Sequence, residues 1–541
     1  MKKSEQQDEG IGRRNLLKSA AVAGLALTAG CGGSGSGSKP APDAPIGENP
    51  IMIENAKPGT QAWRLTNTST VPGKVNGIIT SGRSPDIEGF CSANSVRAGE
   101  QLKIMVSTNP ASAFKLEIFR TGYYNGDGAR LMRTYDALPG VTQFEPSIGE
   151  GYLRECQWDP SVEFDIPEDW LSGVYLGKLT AESSGLQSYI IFIVRDDRPC
   201  DLLFQCSELT WSAYNRWPVD YAVYTRHTED WSNTGVPSGT VSFDRPYALF
   251  THPVNKITNS VGSGEFLPWE FPLSFWLEQH GYDVSYISNI DTHSDRDGLL
   301  RAKGFISVGH DEYWTQDMFD NVLNARDEGV SLAFLCGNSA LCKVPLLHST
   351  DGRPSRAIRR EGWFLPVADG QQFSSSMLNE EGFEPNMGPD GALLLGARHP
   401  IGQGQAGLGQ GVGDWTCTAP EHWLYADTGM QAGDSIEGLV GWEFHGEPLL
   451  DLPGMQIVAE GDALKNNGQP NGTYTATVYD GPQDNIVFNA ATIWWANGLS
   501  SPPGHVTASY WGATLGGPDE RVQQITHNLF QRMITRSSES S

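Results

Sequence analysis

Gly304-Phe305-Ile306-Ser307-Val308 runs straight into Gly309-His310-Asp311-Glu312-Tyr313-Trp314, and the reading of this stretch decides the fold. A short apolar run bounded by glycine predicts a buried strand. Thr315 to Glu328 then carries Met318, Val322 and Ala325 on one face at helical spacing, with Thr315 placed to cap the first turn. Val330-Ser331-Leu332-Ala333-Phe334-Leu335 predicts the next strand, and Cys336-Gly337-Asn338-Ser339 the turn after it. Strand, helix and strand in succession argue a parallel α/β sheet, where sites gather outside the carboxyl ends of the strands. His310, Asp311, Glu312, Tyr313 and Asn338 all fall on that edge.

Upstream the same alternation continues, with a strand over Asp201-Leu202-Leu203-Phe204-Gln205, a helix from Phe271 to His280 and a strand over Tyr282-Asp283-Val284-Ser285-Tyr286. Before residue 198 the period changes to two. Gln101 to Val106, Phe114 to Phe119 and Gly173 to Thr180 alternate between turn residues, which predicts an all-β, immunoglobulin-like antiparallel sandwich with Tyr189 to Val194 as its last strand. Arg195-Asp196-Asp197-Arg198-Pro199 punctuates the two patterns. The expected organisation is a sandwich over 51–198 and an α/β domain over 199–541.

The first 31 residues read as an export signal. Arg13-Arg14-Asn15-Leu16-Leu17-Lys18 precedes an uncharged run, Ser19 to Gly30, too short to span a bilayer as a helix, and the run ends Leu27-Thr28-Ala29-Gly30-Cys31. This resembles a twin-arginine signal with a lipobox, which implies lipidation at Cys31 and anchoring in the cell envelope, periplasmic or on the outer face of a membrane. Residues 32–50, opening Gly32-Gly33-Ser34-Gly35-Ser36 and stiffening at Lys39-Pro40-Ala41-Pro42, read as a flexible linker that holds a folded body off a surface.

Of the 541 residues 39% are hydrophobic and 10% aromatic, enough for packed cores rather than a disordered chain. The formal charge is −26, and removal of residues 1–30 would take away five Lys and Arg against three Asp and Glu. Such a surface stays soluble and disfavours nucleic acid or anionic lipid as partners. Beyond Cys31 the seven cysteines form no CxxC, so neither a zinc knuckle nor a disulfide-dense scaffold is indicated. No Walker loop, strand-borne GxGxxG or HExxH occurs, and glycines such as Gly73 and Gly77 are too sparse to cradle phosphate.

Several ordered segments together resemble the large (beta) subunit family of N,N-dimethylformamidase: Gly281 to Tyr286, Gly309 to Trp314, Phe334-Leu335-Cys336-Gly337-Asn338 and Gly438-Leu439-Val440-Gly441-Trp442-Glu443. Asn485 to Trp494 and Arg521 to Leu529 fit its closing strand and helix, so the likeness covers about residues 200–535; Gly122 to Leu131 resembles the sandwich that often precedes it. The resemblance implies a glutamine-amidotransferase-like α/β fold and a mononuclear iron held by two tyrosinates and a glutamate. Tyr313 and Glu443 match two of those ligand positions. The second tyrosine should fall near Trp269 to Trp276, where Trp269, Phe271, Phe275 and Trp276 stand instead, so the site is incomplete, completed by His310 or Tyr282, or lost. The resemblance leaves open a homo-oligomer or a small partner subunit.

Anionic oxygen donors suit a hard ferric ion, which would depress the Tyr313 phenol, polarise an amide carbonyl and make water a usable nucleophile. Glu312 or Asp311 could serve as general base and His310 as proton shuttle, or either carboxylate could cap the next helix. Glu443, in an apolar stretch, needs a partner or a metal. Two further readings stand beside this one. Cys336 could be a thiol nucleophile with His310 or His348 as base and Asn338 as oxyanion donor, or a buried inert cysteine at a tight turn. Trp211 to Trp217, with Tyr221, Tyr224 and Trp231, could line a sugar or peptide groove of a catalytically inactive binding protein, or cover the sheet as a packed loop. Asp351 to Gly413, with Gly402-Gln403-Gly404-Gln405 in it, reads as a mobile lid or surface excursion. The expectation is an exported, lipid-anchored, metal-dependent hydrolase acting on an amide or formamide-like C–N bond.

Overall fold

The period-two runs pair as their alternation demands. β1 (Ile87–Cys91), β2 (Ser95–Arg97), β3 (Gln101–Thr108), β4 (Phe114–Thr121), β5 (Ala129–Leu138), β6 (Val162–Asp165), β7 (Gly173–Ala181) and β8 (Gln187–Arg195) form two sheets, ordered β1-β3-β6 and β2-β8-β7-β4-β5. All neighbours are antiparallel except β8 and β2. Ile190, Phe192 and Val194 of β8 point into the core between the sheets, with Leu116 and Ile118 of β4. The intervening Tyr189, Ile191 and Ile193 point the other way, into a second core. Both faces of β8 are therefore buried, which is why it reads as an unbroken apolar run. Each such Ile or Phe contributes roughly 1.5–3 kcal/mol by leaving water.

That second core is shared with the rest of the chain. β9 (Cys200–Cys206) opens it, followed by α1 (Glu208–Tyr214), α2 (Phe271–Gln279), β10 (Val284–Ser288), β11 (Ala302–His310), α3 (Gln316–Asp327), β12 (Ser331–Gly337), β13 (Gln456–Leu464), β14 (Pro470–Asp480), β15 (Ile486–Asn489) and α4 (Glu520–Glu539). Seven strands make one sheet in the order β10-β9-β11-β12-β15-β14-β13. The first five run parallel and β14 and β13 antiparallel. α3 starts where Thr315 Oγ1 accepts the Met318 N–H at 3.0 Å, and Met318, Val322 and Ala325 are buried as the spacing predicts. The chain as a whole is strand-rich, with several smaller sheets beside these.

This is a computed structural model, and it describes residues 49–75, 78–219, 221–223, 239–248, 260–366, 386–400, 409–507, 509–510 and 513–539. Cys31, the 1–31 signal, nearly all of the 32–50 linker, Tyr224, Trp231 and Gly402 to Gln405 lie outside them. From Pro45 to Ser541 the chain forms one compact unit. Among the described residues no helix is long and apolar enough to cross a membrane.

Two expectations change. The sheet is not wholly parallel, because β13 and β14 form an antiparallel hairpin at its edge. The described parts of 351–413 are packed rather than a surface excursion: Phe364, Leu394 and Leu395 are fully buried, and Asn489 Nδ2 donates to the carbonyls of Leu395 (2.9 Å) and Ala397 (2.7 Å).

Candidate metal centre

Three side chains converge at the carboxyl edge of the parallel strands: His310 ends β11, Glu312 comes two residues later, and Glu443 stands in the loop after the strand Ser435–Val440. One ligand atom from each lies within 4.8 Å of the others, and all three residues are buried. The backbone is shaped for this. Gly309 takes φ +72°, and a Cβ there would stand 2.6 Å from that of Trp269 and 2.9 Å from its carbonyl oxygen, so the chain can turn out of the strand against the Trp269 backbone only at glycine. Thr210 Oγ1, on α1, then accepts the N–H groups of Glu312 (3.0 Å) and Tyr313 (3.2 Å) and pins the loop.

The His310 imidazole is held on four sides. Its ring centroid lies 4.8 Å from that of Tyr214 and 4.9 Å from that of Trp442. Nδ1 is 3.0 Å from Glu265 Oε2, while Nε2 is 3.3 Å from Oε2 of both Glu312 and Glu443. Glu312 is the hub. Its Oε2 accepts the Tyr214 hydroxyl at 2.6 Å and its Oε1 the Cys342 thiol at 3.1 Å. Glu443 Oε2 accepts from Asn338 Nδ2 at 2.9 Å and its Oε1 from Gln410 Nε2 at 3.4 Å.

Three carboxylates therefore face one imidazole away from water. Burial alone would lower the His310 pKa, but Glu265, Glu312 and Glu443 hold it well above its ordinary value. Burial pushes Glu265 up, whereas for Glu312 the opposing pull of His310 wins and its pKa falls. The site favours positive charge at Nε2.

The sequence-predicted residues divide here. His310, Glu312, Glu443 and Asn338 meet at the site. Asp311 points away, accepting Gln205 Nε2 (2.7 Å), Ser307 Oγ (2.7 Å) and Asn289 Nδ2 (3.2 Å), so its carboxylate ties strands and loop together. Tyr313 is buried in the short pairing with Cys342, its ring 6.1 Å from that of Tyr214. Neither Glu312 nor Asp311 caps α3, a role taken by Thr315. Cys336 is enclosed with hydroxyl neighbours, Ser307 at 3.7 Å and Ser339, and burial pushes its thiol up to about 12; His348 is exposed. That is the reverse of an activated nucleophile. The Tyr282 hydroxyl is engaged elsewhere, pairing with His527 Nδ1 at 2.7 Å. Trp211 and Trp217 are buried, their N–H groups donating to Glu270 (2.6 Å) and Glu88 (2.9 Å), and Trp211 borders a small cavity with Phe90, Phe243 and Tyr247.

The family model described as N,N-dimethylformamidase beta subunit-like, C-terminal, matches residues 115–508, well over half of the chain. The chain belongs to that family. The match begins inside the sandwich, at β4, so the family unit takes in strands from both halves of the formamidase-like chain rather than starting near residue 200. No curated protein matches it. Among solved structures, the sulfur carrier protein SoxY from Chlorobium limicola f thiosulfatophilum is similar at 14% identity over 22% of this chain and 84% of that one, with a TM-score of 0.12. A superoxide reductase (neelaredoxin) from Ignicoccus hospitalis is similar at 16% identity over 23% and 81%, with a TM-score of 0.13. Likenesses of that size carry no argument about this site.

Three residues at the centre escaped sequence reasoning: Tyr214, Glu265 and Gln410. Each lies well along the chain from its partner; Tyr214 and Gln410 sat in segments already singled out, Tyr214 among aromatic neighbours that masked it and Gln410 near the end of the Asp351 to Gly413 stretch.

Proposed function

We propose that this formamidase-like chain hydrolyses amide C–N bonds at a metal centre built on His310 Nε2, Glu312 and Glu443. The observation that carries this is the convergence of those three donors within 4.8 Å in a buried site. The residues fit a cation. Three buried carboxylates around one imidazole leave an excess of negative charge that a proton on Nε2 offsets only in part, and metal would take that proton's place. Carboxylates and imidazole with a phenol alongside are hard donors that suit iron. A bound ion would supply Lewis acidity at an amide carbonyl.

The chain's own residues do the rest. Tyr214 holds Glu312 through its hydroxyl, and Asn338 and Gln410 hold Glu443, so both carboxylates are oriented before anything binds. Glu443 is the most open of the three, its side chain 8% exposed against 3% for Glu312 and none for His310, and an attacking water meets it first. The rings of Tyr214 and Trp442 pack against the imidazole and help keep solvent from it. We read the seven-stranded sheet as an amidotransferase-like core that presents this edge, and the N-terminus as a twin-arginine signal ending in lipidation at Cys31.

The test is metal content by mass spectrometry on purified protein, with simple N-alkyl formamides and amides as substrates. Near one equivalent of metal and amide hydrolysis in the wild type, both lost in Glu312→Gln, support the reading. Wild type that holds no metal after loading with iron, zinc or manganese refutes it and leaves a binding protein. Membrane fractionation of Cys31→Ala tests the anchor: release to the soluble fraction supports lipidation there.

A further inference from the structure

The site donors converge within 4.8 Å, and a half-turn of the imidazole about its Cβ–Cγ bond would exchange its nitrogens and carbons. Its Nδ1 contact decides which atom faces the carboxylates. That contact is Glu265, a residue 1% exposed, whose Oε2 lies 3.0 Å from Nδ1.

Glu265 reaches this position for reasons that involve the sandwich. The segment before it is pressed against β8: the Tyr189 N–H donates to the Val261 carbonyl at 2.9 Å. A Cβ at Gly262, where φ is +91°, would collide with the Tyr189 carbonyl oxygen, so only glycine admits so close a contact. Two residues on, Gly264 lies against the Trp211 indole, and Glu265 then begins the turn Phe266–Trp269. The sandwich edge sets where the Glu265 backbone stands. The carboxylate is also costly where it is. Its Oε1 has no hydrogen-bond partner among the described residues, and an orphaned buried acceptor of this kind calls for an explanation beyond packing.

We infer that Glu265 is a positioning residue: it takes the Nδ1 proton of His310, fixing the tautomer whose Nε2 lone pair points between Glu312 and Glu443 for metal. The inference rests on the metal-centre reading above and adds to it a carboxylate–imidazole–metal relay anchored by the sandwich. Outer carboxylates of this sort orient a histidine ligand and raise its basicity, and their loss typically weakens metal binding by roughly 10–100-fold.

The experiment compares wild type, Glu265→Gln and Glu265→Asp. Metal affinity is measured by competition with a chelator, and the histidine tautomer by nitrogen NMR on the metal-free, ¹⁵N-histidine-labelled protein at a pH high enough for His310 to be neutral. Thermal melting of each metal-free protein checks that it folds. The expected result is metal binding roughly 10–100-fold weaker in Glu265→Gln, a changed His310 tautomer signal and a similar melting temperature, with Glu265→Asp weakened less than Glu265→Gln. Wild-type affinity within about threefold in Glu265→Gln, or an unchanged tautomer, overturns the role of Glu265 and leaves the metal centre standing. No metal in the wild type overturns both.

Discussion

Glu278→Gln should destabilise the protein by about 3–5 kcal/mol, because it strands a buried guanidinium. Arg120, on β4 of the sandwich, donates Nη2 to Glu278 Oε1 at 2.9 Å and Nη1 to Oε2 at 3.0 Å, and both side chains are fully buried. Glu278, on α2, also accepts from Asn55 Nδ2 (2.8 Å) and the Tyr286 hydroxyl (2.9 Å). The variant keeps the shape and loses the charge, so the desolvation cost of Arg120 stands without its offset. Replacing both, Arg120→Met with Glu278→Gln, removes the stranded cation and should cost clearly less than the sum of the single changes. Urea denaturation of the four proteins, metal-free, measures the cycle. A loss under about 1 kcal/mol in Glu278→Gln, or additivity in the cycle, would refute the view that this pair locks the sandwich to α2.

The same geometry sets three other outcomes. Cys336→Ala should keep kcat within about threefold, because a thiol pushed up to about 12 is not a nucleophile; a loss of about a hundredfold in steady-state assay would restore the thiol mechanism. Asp311→Asn should cost about 1–3 kcal/mol in urea melts, since its carboxylate accepts three donors and an amide brings a donor to face them; an unchanged midpoint would contradict that role. Burial pushes Glu208 up to about 8 although it accepts the N–H groups of Asn289 and Ile290, so its folded pKa lies above its unfolded one. The stability it contributes is whole below about pH 4.5 and is lost as pH rises toward 8, so wild type should lose ground to Glu208→Gln across that window, as denaturation at about pH 4.5, 6 and 8 would reveal.

The architecture was legible wherever a segment carried its own period. β9, α2, β10, β11, α3 and β12 fall within about two residues of the runs from Leu202 to Leu335, because strand and helix periodicities there are uninterrupted. The β13–β14 hairpin was missed although Asn467-Gly468 between two alternating runs is a strong hairpin signal. At the site, His310, Glu312 and Asn338 were legible because the carboxyl edge of a parallel sheet gathers the residues just past its strand ends. Tyr214 and Glu265 were not, since they meet Glu312 and His310 across 98 and 45 residues, and no local pattern encodes such a meeting. Tyr313 drew attention as the match to a tyrosinate position implied by the family resemblance, while the hydroxyl that reaches Glu312 Oε2 is that of Tyr214.

The two halves of the chain answer the same electrostatic problem in opposite ways. At the Arg120–Glu278 contact a buried carboxylate meets a guanidinium that satisfies both of its oxygens, and the result is a fixed structural joint. At the centre the carboxylates of Glu265, Glu312 and Glu443 share one imidazole. A cation bound there, as proposed, would offset the repulsion among them and would stabilise the folded state by about 2.7 kcal/mol at a metal concentration about a hundred times Kd. Because Glu265 is placed by a glycine contact with β8, that gain also depends on the sandwich being docked. On the proposed reading a centre assembled this way would bind metal tightly only in the finished fold, which would tie the stability of the joint to the chemistry of the edge.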